Sequence, residues 1–419
     1  MKKMNYRNNN GITLIALVIT IVVLIILSAV SINIIFNDNG IISRAGSAQK
    51  KMDDAADKEI ESVNNLNDLI NKKTGDEKSG DEETETKNVA DMVGKTADKN
   101  ESAKDLYGNK IMIPNGFKIV PHGSTGNVTY NYTGTENHIP SVQDGIVIED
   151  TREATLGNQF VWVPVGSIKN KDGSTTNITL GRYTFENASE PALQQPKDDS
   201  TYESTLKVAQ YYTELATSRN GNDKTDASSE NATALHLTQF TSNAIKNGGY
   251  YIARFEASGT KEKIVSKYNQ EVLTGITQLE AATSARKMYQ GVDSHYESDL
   301  ANSYAWDTAI VFIQKYSENS IYASANNGKV FGNTGSAENA DKYCNIWDMS
   351  GNAREWTTET SSVNLFNTYL VCTCRGGYYN NSKVNGNSSH RDSLRNKIYR
   401  SNMWLTCNTL CNLEKLFKN

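Results

Sequence analysis

The chain has 419 residues, 37% hydrophobic and 22% charged, with a net charge of −5. That length holds two or three units and one large core. The mildly acidic balance argues against a nucleic-acid partner, and five cysteines (Cys344, Cys372, Cys374, Cys407 and Cys411) leave at least one thiol outside any pairing.

Residues 1–11 form a short polar leader carrying Lys2, Lys3 and Arg7, and residues 12–36 carry no charge at all. As a helix that stretch runs about 37 Å, enough to cross a hydrocarbon core of about 30 Å. It is too long for the apolar core of a secretory signal. Positive charge ahead of it holds the N-terminus in the cytoplasm and sends the rest outward, a single-pass arrangement in the cell membrane. The Gly11-Ile12-Thr13-Leu14 junction resembles the leader of type IV prepilins and pseudopilins. The resemblance implies cleavage after Gly11 by a prepilin peptidase, methylation of Ile12, and other pilins as candidate partners. That family usually has Glu at the fifth mature position, where this chain has Ala16. The substitution removes the buried carboxylate that pairs neighbouring subunits and so weighs against a fibre.

Residues 37–73 open on the turn cluster Asn37-Asp38-Asn39-Gly40 and continue as a weakly amphipathic polar helix or stalk. Residues 74–103 read as an acidic disordered linker, because Thr74 to Glu85 offers nothing to bury. From 104 onward short β-rich runs alternate with Asn, Gly and Pro. Strands are predicted at Gly145–Asp150, Gln159–Val165 and Gly248–Phe255, and helices at Tyr202–Thr217, Gln278–Tyr289 and Trp306–Tyr316. Twenty-one Tyr against six Pro, with abundant Asn, Thr and Ser, fit an extracellular surface. Cys372-x-Cys374 is too tight for a zinc pair, so the cysteines read as buried small residues or one bridge. The five His show no ligand spacing.

Several segments follow in a set order. They are Phe160-Val161-Trp162-Val163-Pro164, then Gly249 to Ala257 around Arg254-Phe255-Glu256, then Ala305-Trp306-Asp307. Asn345 to Trp356 comes next, containing Met349-Ser350-Gly351-Asn352-Ala353-Arg354-Glu355-Trp356, and Arg375-Gly376-Gly377-Tyr378 closes the set. Gly351-Asn352 is a turn signal, flanked by Trp347 and Trp356, whose large rings nail an irregular loop to a core. This arrangement resembles the sulfatase-modifying-factor superfamily of the formylglycine-generating enzyme. The resemblance spans roughly residues 104–402 and implies an α+β head of C-type-lectin-like fold over 104–419. It also implies calcium near Asn352 and Glu355, the candidate metal ligands. Trp347, Gly351, Asn352, Glu355, Trp356, Arg375, Gly376 and Gly377 are then the structural motif, with Arg375 held by close backbone approach.

The resemblance places two catalytic cysteines after Arg-Gly-Gly, but residues 379–393 contain none. No catalytic residue and no cofactor other than calcium is therefore expected. The same stretch offers Tyr378, Tyr379, Asn380, Asn381, Asn385, Asn387, Ser388 and His390, aromatic area with adaptable hydrogen bonding of the kind found on recognition loops. The preferred reading is a membrane-anchored, non-catalytic binding module for an unknown extracellular ligand. A minor pilin or pseudopilin, and an enzyme of the superfamily with altered chemistry, are the alternatives. Relatives end on Gly-Leu/Phe-Arg and a short strand, whereas this chain ends Met403-Trp404-Leu405-Thr406-Cys407. A one-base shift of Met-Trp codons permits Cys-Gly, so the last 17 or so residues are read as a candidate frameshift lacking a proper final strand.

Overall fold

The structure, a computed structural model, describes residues 87–130, 139–185, 187–193, 212–213, 234, 237–292, 296–325, 331–336, 341–361, 371–377, 387–394, 407–409 and 411–415. The leader with Gly11 and Ile12, the apolar segment 12–36, the stalk 37–73 and the linker up to 86 lie outside these residues. So do Tyr378, Tyr379, Asn380, Asn381 and Asn385. Among the described residues no helix is long and apolar enough to cross a membrane.

The architecture is α+β. One antiparallel sheet is built from β1 (Phe117–Ile119), β2 (Val147–Asp150), β3 (Gln159–Pro164), β4 (Gly249–Ala253) and β5 (Tyr296–Leu300), completed by a strand at Cys411–Lys415. That last strand sits between β4 and β5, with Leu413 opposite both Tyr251 and Ser298. The chain therefore does possess a closing strand, contrary to the expectation for the tail. A second sheet runs through Tyr212–Thr213, β6 (Arg354–Ser361), β7 (Val371–Arg375) and β8 (Arg391–Leu394), with Cys407–Thr409 parallel to β6.

Strand β3 is buried at all six positions, and β4 at all five. Such continuous burial suits near-unbroken apolar runs covered on both faces. Trp162 packs edge-on to Tyr251 at 5.0 Å. Gly249 sits at φ +155, and a Cβ there would come 2.5 Å from the Trp162 ring, so only glycine lets β4 approach it. The Arg152 guanidinium lies over Phe117, Tyr289 and Tyr296 at 4.9, 5.5 and 5.2 Å and pairs with Asp150.

Among the described residues, three longer helices pack into the core. Helix α1 (Leu237–Asn247) buries Leu237, Phe240 and Ala244 on one face. No helix was predicted over these residues, although Leu237, Phe240 and Ala244 fall at helical spacing. Helix α2 (Gln278–Lys287) starts on a Thr277–Glu280 capping box and buries Ala281, Ala282 and Ala285. Helix α3 (Ser303–Tyr316) is capped by the Asn302 side chain, which accepts from the Ala305 N–H at 2.9 Å. It is buried from Ala305 through Gln314, carrying Asp307 into the interior.

The folded unit also begins earlier than the predicted boundary at 104. Lys87–Asn88, Glu101–Lys104 and Lys110–Ile113 form a three-stranded sheet, and Val89, Met92, Ala97 and Ala103 are buried. The charge-rich run ends at Glu85, and the sparse apolar residues after it find partners in strands far along the chain. Two-residue strand Tyr212–Thr213 lies within the predicted helix 202–217, whose other residues are outside the described ones.

Candidate functional site

The motif segments meet around α3 and the second sheet. Arg375, at the end of β7, donates to Asp307 at 2.5 Å and to Glu359 at 3.2 Å. From β8, Arg391 donates to Asp307 at 2.6 Å and to both Glu359 oxygens at 3.0 Å. Arg182 also donates to Glu359, and the Tyr183 N–H donates to Asp307 at 3.0 Å. Both carboxylates and Arg375 have no exposed side-chain surface. Burial alone would raise the Glu359 pKa, but Arg391, Arg182 and Arg375 outweigh it and hold the carboxyl down to about 2. Arg375 thus belongs to an internal ion network, with its side chain fully buried.

Beside this network lie four buried carboxyl groups: Glu256, Asp341, Asp348 and Glu355. Glu256 accepts from the Asn352 side chain at 2.5 Å and the Ala353 N–H at 2.9 Å, tying β4 to the Gly351-Asn352 turn. Asp341 accepts from the Tyr322 hydroxyl and from Ser350 at 2.9 Å. Asp348 accepts from the Gly335 N–H at 3.0 Å. Burial raises Asp348 to about 8, with the Asp341 charge adding to it, and burial raises Glu355 and Glu256 well above the usual carboxylate range. Among the described residues, both oxygens of Glu355 are buried without a hydrogen-bond partner, and one oxygen each of Asp341 and Asp348 is in the same condition.

Gly376 explains the Arg-Gly-Gly spacing. It sits at φ +76, and a Cβ there would meet the Met349 carbonyl oxygen at 2.6 Å and Glu355 Oε2 at 3.0 Å. Two oxygens therefore converge where any side chain would intrude. Oxygen ligands of this kind suit a hard cation, and Glu355 fits that role. Asn352 does not: its Oδ1 accepts from the Gly332 N–H at 3.0 Å and its Nδ2 serves Glu256. Its predicted part as a metal ligand is corrected to a turn-locking one, at φ +58. No group of three His, Cys, Asp or Glu side chains forms a metal set among the described residues.

The two tryptophans behave differently. Trp356 donates its indole N–H to the Ile276 carbonyl at 2.8 Å. Trp347 packs near Phe255 and Tyr268, with its indole N–H buried and unpartnered.

Of the predicted recognition face, the described members turn inward. Asn387, Ser388 and His390 are 6%, 0% and 5% exposed. Ser388 donates to the Tyr322 carbonyl at 2.5 Å and accepts the Trp306 indole N–H at 2.9 Å. Ser389 donates to the Ala323 carbonyl at 2.7 Å. These polar residues anchor the chain between β7 and β8 instead of facing solvent, because α3 and the turn at Tyr322 supply buried partners that no local pattern shows.

Two further motif residues were given no role by the sequence. Arg254 is fully buried and donates to the carbonyls of Thr125, Gly126 and Asn345 and to Gln159. Asn345, at φ +61, bridges Thr129, Asp144 and Gly145 through its amide. Its place in an Asn-Ile-Trp-Asp segment, where Asn345 and Asp348 take left-handed backbone on either side of a two-residue strand, was the available signal. Cys374 is disulfide-bonded and Cys344 is free. Burial, then the charges of Asp144 and Glu318, push the Cys344 thiol up, away from the thiolate a nucleophile needs.

Two cavities, of about 200 and about 640 Å³, open beside Tyr316, and Cys344 lines the smaller one. Both are lined by Gln143 and Tyr316. No family model matches this chain, and no curated protein matches it.

Proposed function

We propose that the chain displays a non-catalytic, C-type-lectin-like recognition head outside the cell, on an N-terminal membrane anchor processed at Gly11 by a prepilin peptidase. The observation that carries this reading is the closed ion network around Arg375. It commits the most motif-like residues of the chain to holding β6, β7, β8 and α3 together. A rigid frame of this kind suits loops that bind. Tyr378, Tyr379, Asn380, Asn381 and Asn385 remain the loop residues proposed to contact an extracellular ligand, now without Asn387, Ser388 and His390.

Calcium fits the head as a structural ion. Glu355 would hold it, with the Met349 carbonyl as a second oxygen, and its charge would let the buried carboxyl ionise. The Gly11-Ile12 junction also supports a second reading, a minor pilin or pseudopilin, which crosslinking to other pilins in the membrane would reveal.

The test uses the full chain on cells. Surface protease should release the head, and deleting 378–386, which spares Ser388 to Arg391, should abolish adherence at matched expression. A head resistant to external protease, or unchanged adherence, would count against the reading.

A further inference from the structure

We propose that the smaller cavity beside Tyr316 binds a small free α-amino acid, its carboxylate on Lys342 and its ammonium on Glu318. The inference goes beyond the recognition loops and locates a site apart from residues 378–386.

Three distant segments bring charge to this cavity. Lys342 opens the two-residue strand Lys342–Tyr343, Glu318 follows the C-terminal end of α3, and Asp144 ends the helical turn Val142–Asp144. The half-buried Lys342 ammonium donates to the Asn127 carbonyl at 2.5 Å and to Thr129 Oγ1 at 2.6 Å. It also lies over the Trp347 ring at 5.7 Å. An ammonium carries three donors, so one remains for a ligand. The position of this group is set before any ligand arrives, which lowers the ordering cost of binding. Among the described residues no carboxylate pairs with Lys342. Glu318 is exposed and, among the same residues, makes no hydrogen bond or ion pair.

The two charges sit in separate fields. Burial, then the Arg254 charge, bring the Lys342 ammonium down to about 8, so it remains a cation at neutral pH. At Cys344, in the wall of the same cavity, the charges felt are those of Asp144 and Glu318. One end of the cavity is therefore electropositive and the other electronegative. Asp144 is buried and already accepts from the Ser141 N–H and hydroxyl, so Glu318 is the acid left for a ligand. Carbonyls at the C-terminal end of α3 add partial negative charge on that side. A lone anion or cation meets one end and opposes the other, whereas a zwitterion complements both. Size narrows the class further. The cavity of about 200 Å³ has room for about six or seven water-sized groups at about 30 Å³ each, the bulk of alanine or serine.

The experiment titrates L-alanine and L-serine into the full chain in lipid nanodiscs and reads binding by calorimetry. L-Lactate, which lacks the ammonium, and L-alaninamide, which lacks the carboxylate, should each bind about tenfold more weakly than L-alanine, or worse. Glu318→Gln and Lys342→Gln should weaken L-alanine binding by a similar factor, while Lys315→Gln, in the larger cavity, should leave it unchanged. Glu318 is exposed, so its variant decides the case should Lys342→Gln fail to fold. No binding of either amino acid, lactate or alaninamide held as tightly as L-alanine, or affinity unmoved by Glu318→Gln overturns the inference. Adherence lost on deleting 378–386, with no amino acid bound, would sink this site and leave the recognition loops standing.

Discussion

Arg391 donates from Nη2 to Asp307 Oδ2 at 2.6 Å, with both side chains closed off from water. Asp307 comes from α3 and Arg391 from β8, so the pair clamps a helix to the strand that follows the Asn-rich segment. Arg375 uses the other Asp307 oxygen. Removing the shared acid leaves two buried guanidinium groups with Glu359 as their remaining shared carboxylate. Asp307→Ala should destabilise the head by about 3–5 kcal/mol, seen as a fall in urea midpoint, whereas exposed Lys261→Ala should change it by less than about 0.5 kcal/mol.

Two carboxyl clusters set opposite pH limbs. Glu359 titrates at about 2 in the fold against 4.5 unfolded, so its contribution is present above 4.5 and lost as pH falls toward 2. Asp348 titrates at about 8 against 3.8, so the folded state holds the extra proton between those values. There stability declines as pH rises, and Glu355 and Glu256 act in the same direction. Without calcium, the melting midpoint should peak in mildly acid buffer and fall on both sides. Asp348→Asn should flatten the alkaline side; an unchanged alkaline slope would contradict the assignment.

Among the described residues, neither oxygen of Glu355 has a hydrogen-bond partner. Calcium should raise the melting temperature, most strongly at alkaline pH, and a chelator should reverse the shift. Glu355→Gln should lose the calcium response while staying folded in chelator, because a neutral amide of the same shape avoids burying a charge. A calcium response that survives this change would place the ion elsewhere.

Gly376→Ala combines a positive φ with a Cβ 2.6 Å from the Met349 carbonyl. It should cost about 1–3 kcal/mol or more, while Gly94→Ala, at φ +74 in open space, should cost less. Denaturation curves of the two variants, compared directly, measure how much comes from the close approach.

Coexpression with a prepilin peptidase should shorten the chain by residues 1–11, and intact-mass measurement should show a methyl group on Ile12. Gly11→Val should block both changes. An uncut wild-type chain would remove the prepilin-type reading of the anchor and leave a plain single span.

Local chemistry made much of this chain legible in sequence. The continuous apolar runs of β3 and β4 and the apolar spacing of α2 and α3 depend on neighbours within a few residues. Arg375-Gly-Gly suggested a guanidinium under close backbone approach; the close approach lies instead at Gly376, against the Met349 carbonyl, and carboxylates hold the guanidinium. The charge-free segment 12–36 behind Lys2, Lys3 and Arg7 likewise states its own hypothesis in composition alone. What tertiary structure alone decided was which polar groups face inward. Asn387, Ser388 and His390 look like recognition residues until α3 and Tyr322 are found beside them. Asn352 looks like a ligand until Glu256, 96 residues away, takes its amide. Val89 and Met92 look like linker until remote strands bury them. Each outcome depends on a partner brought in by chain folding, and desolvation makes that partner, not the residue type, set the energy of a polar group.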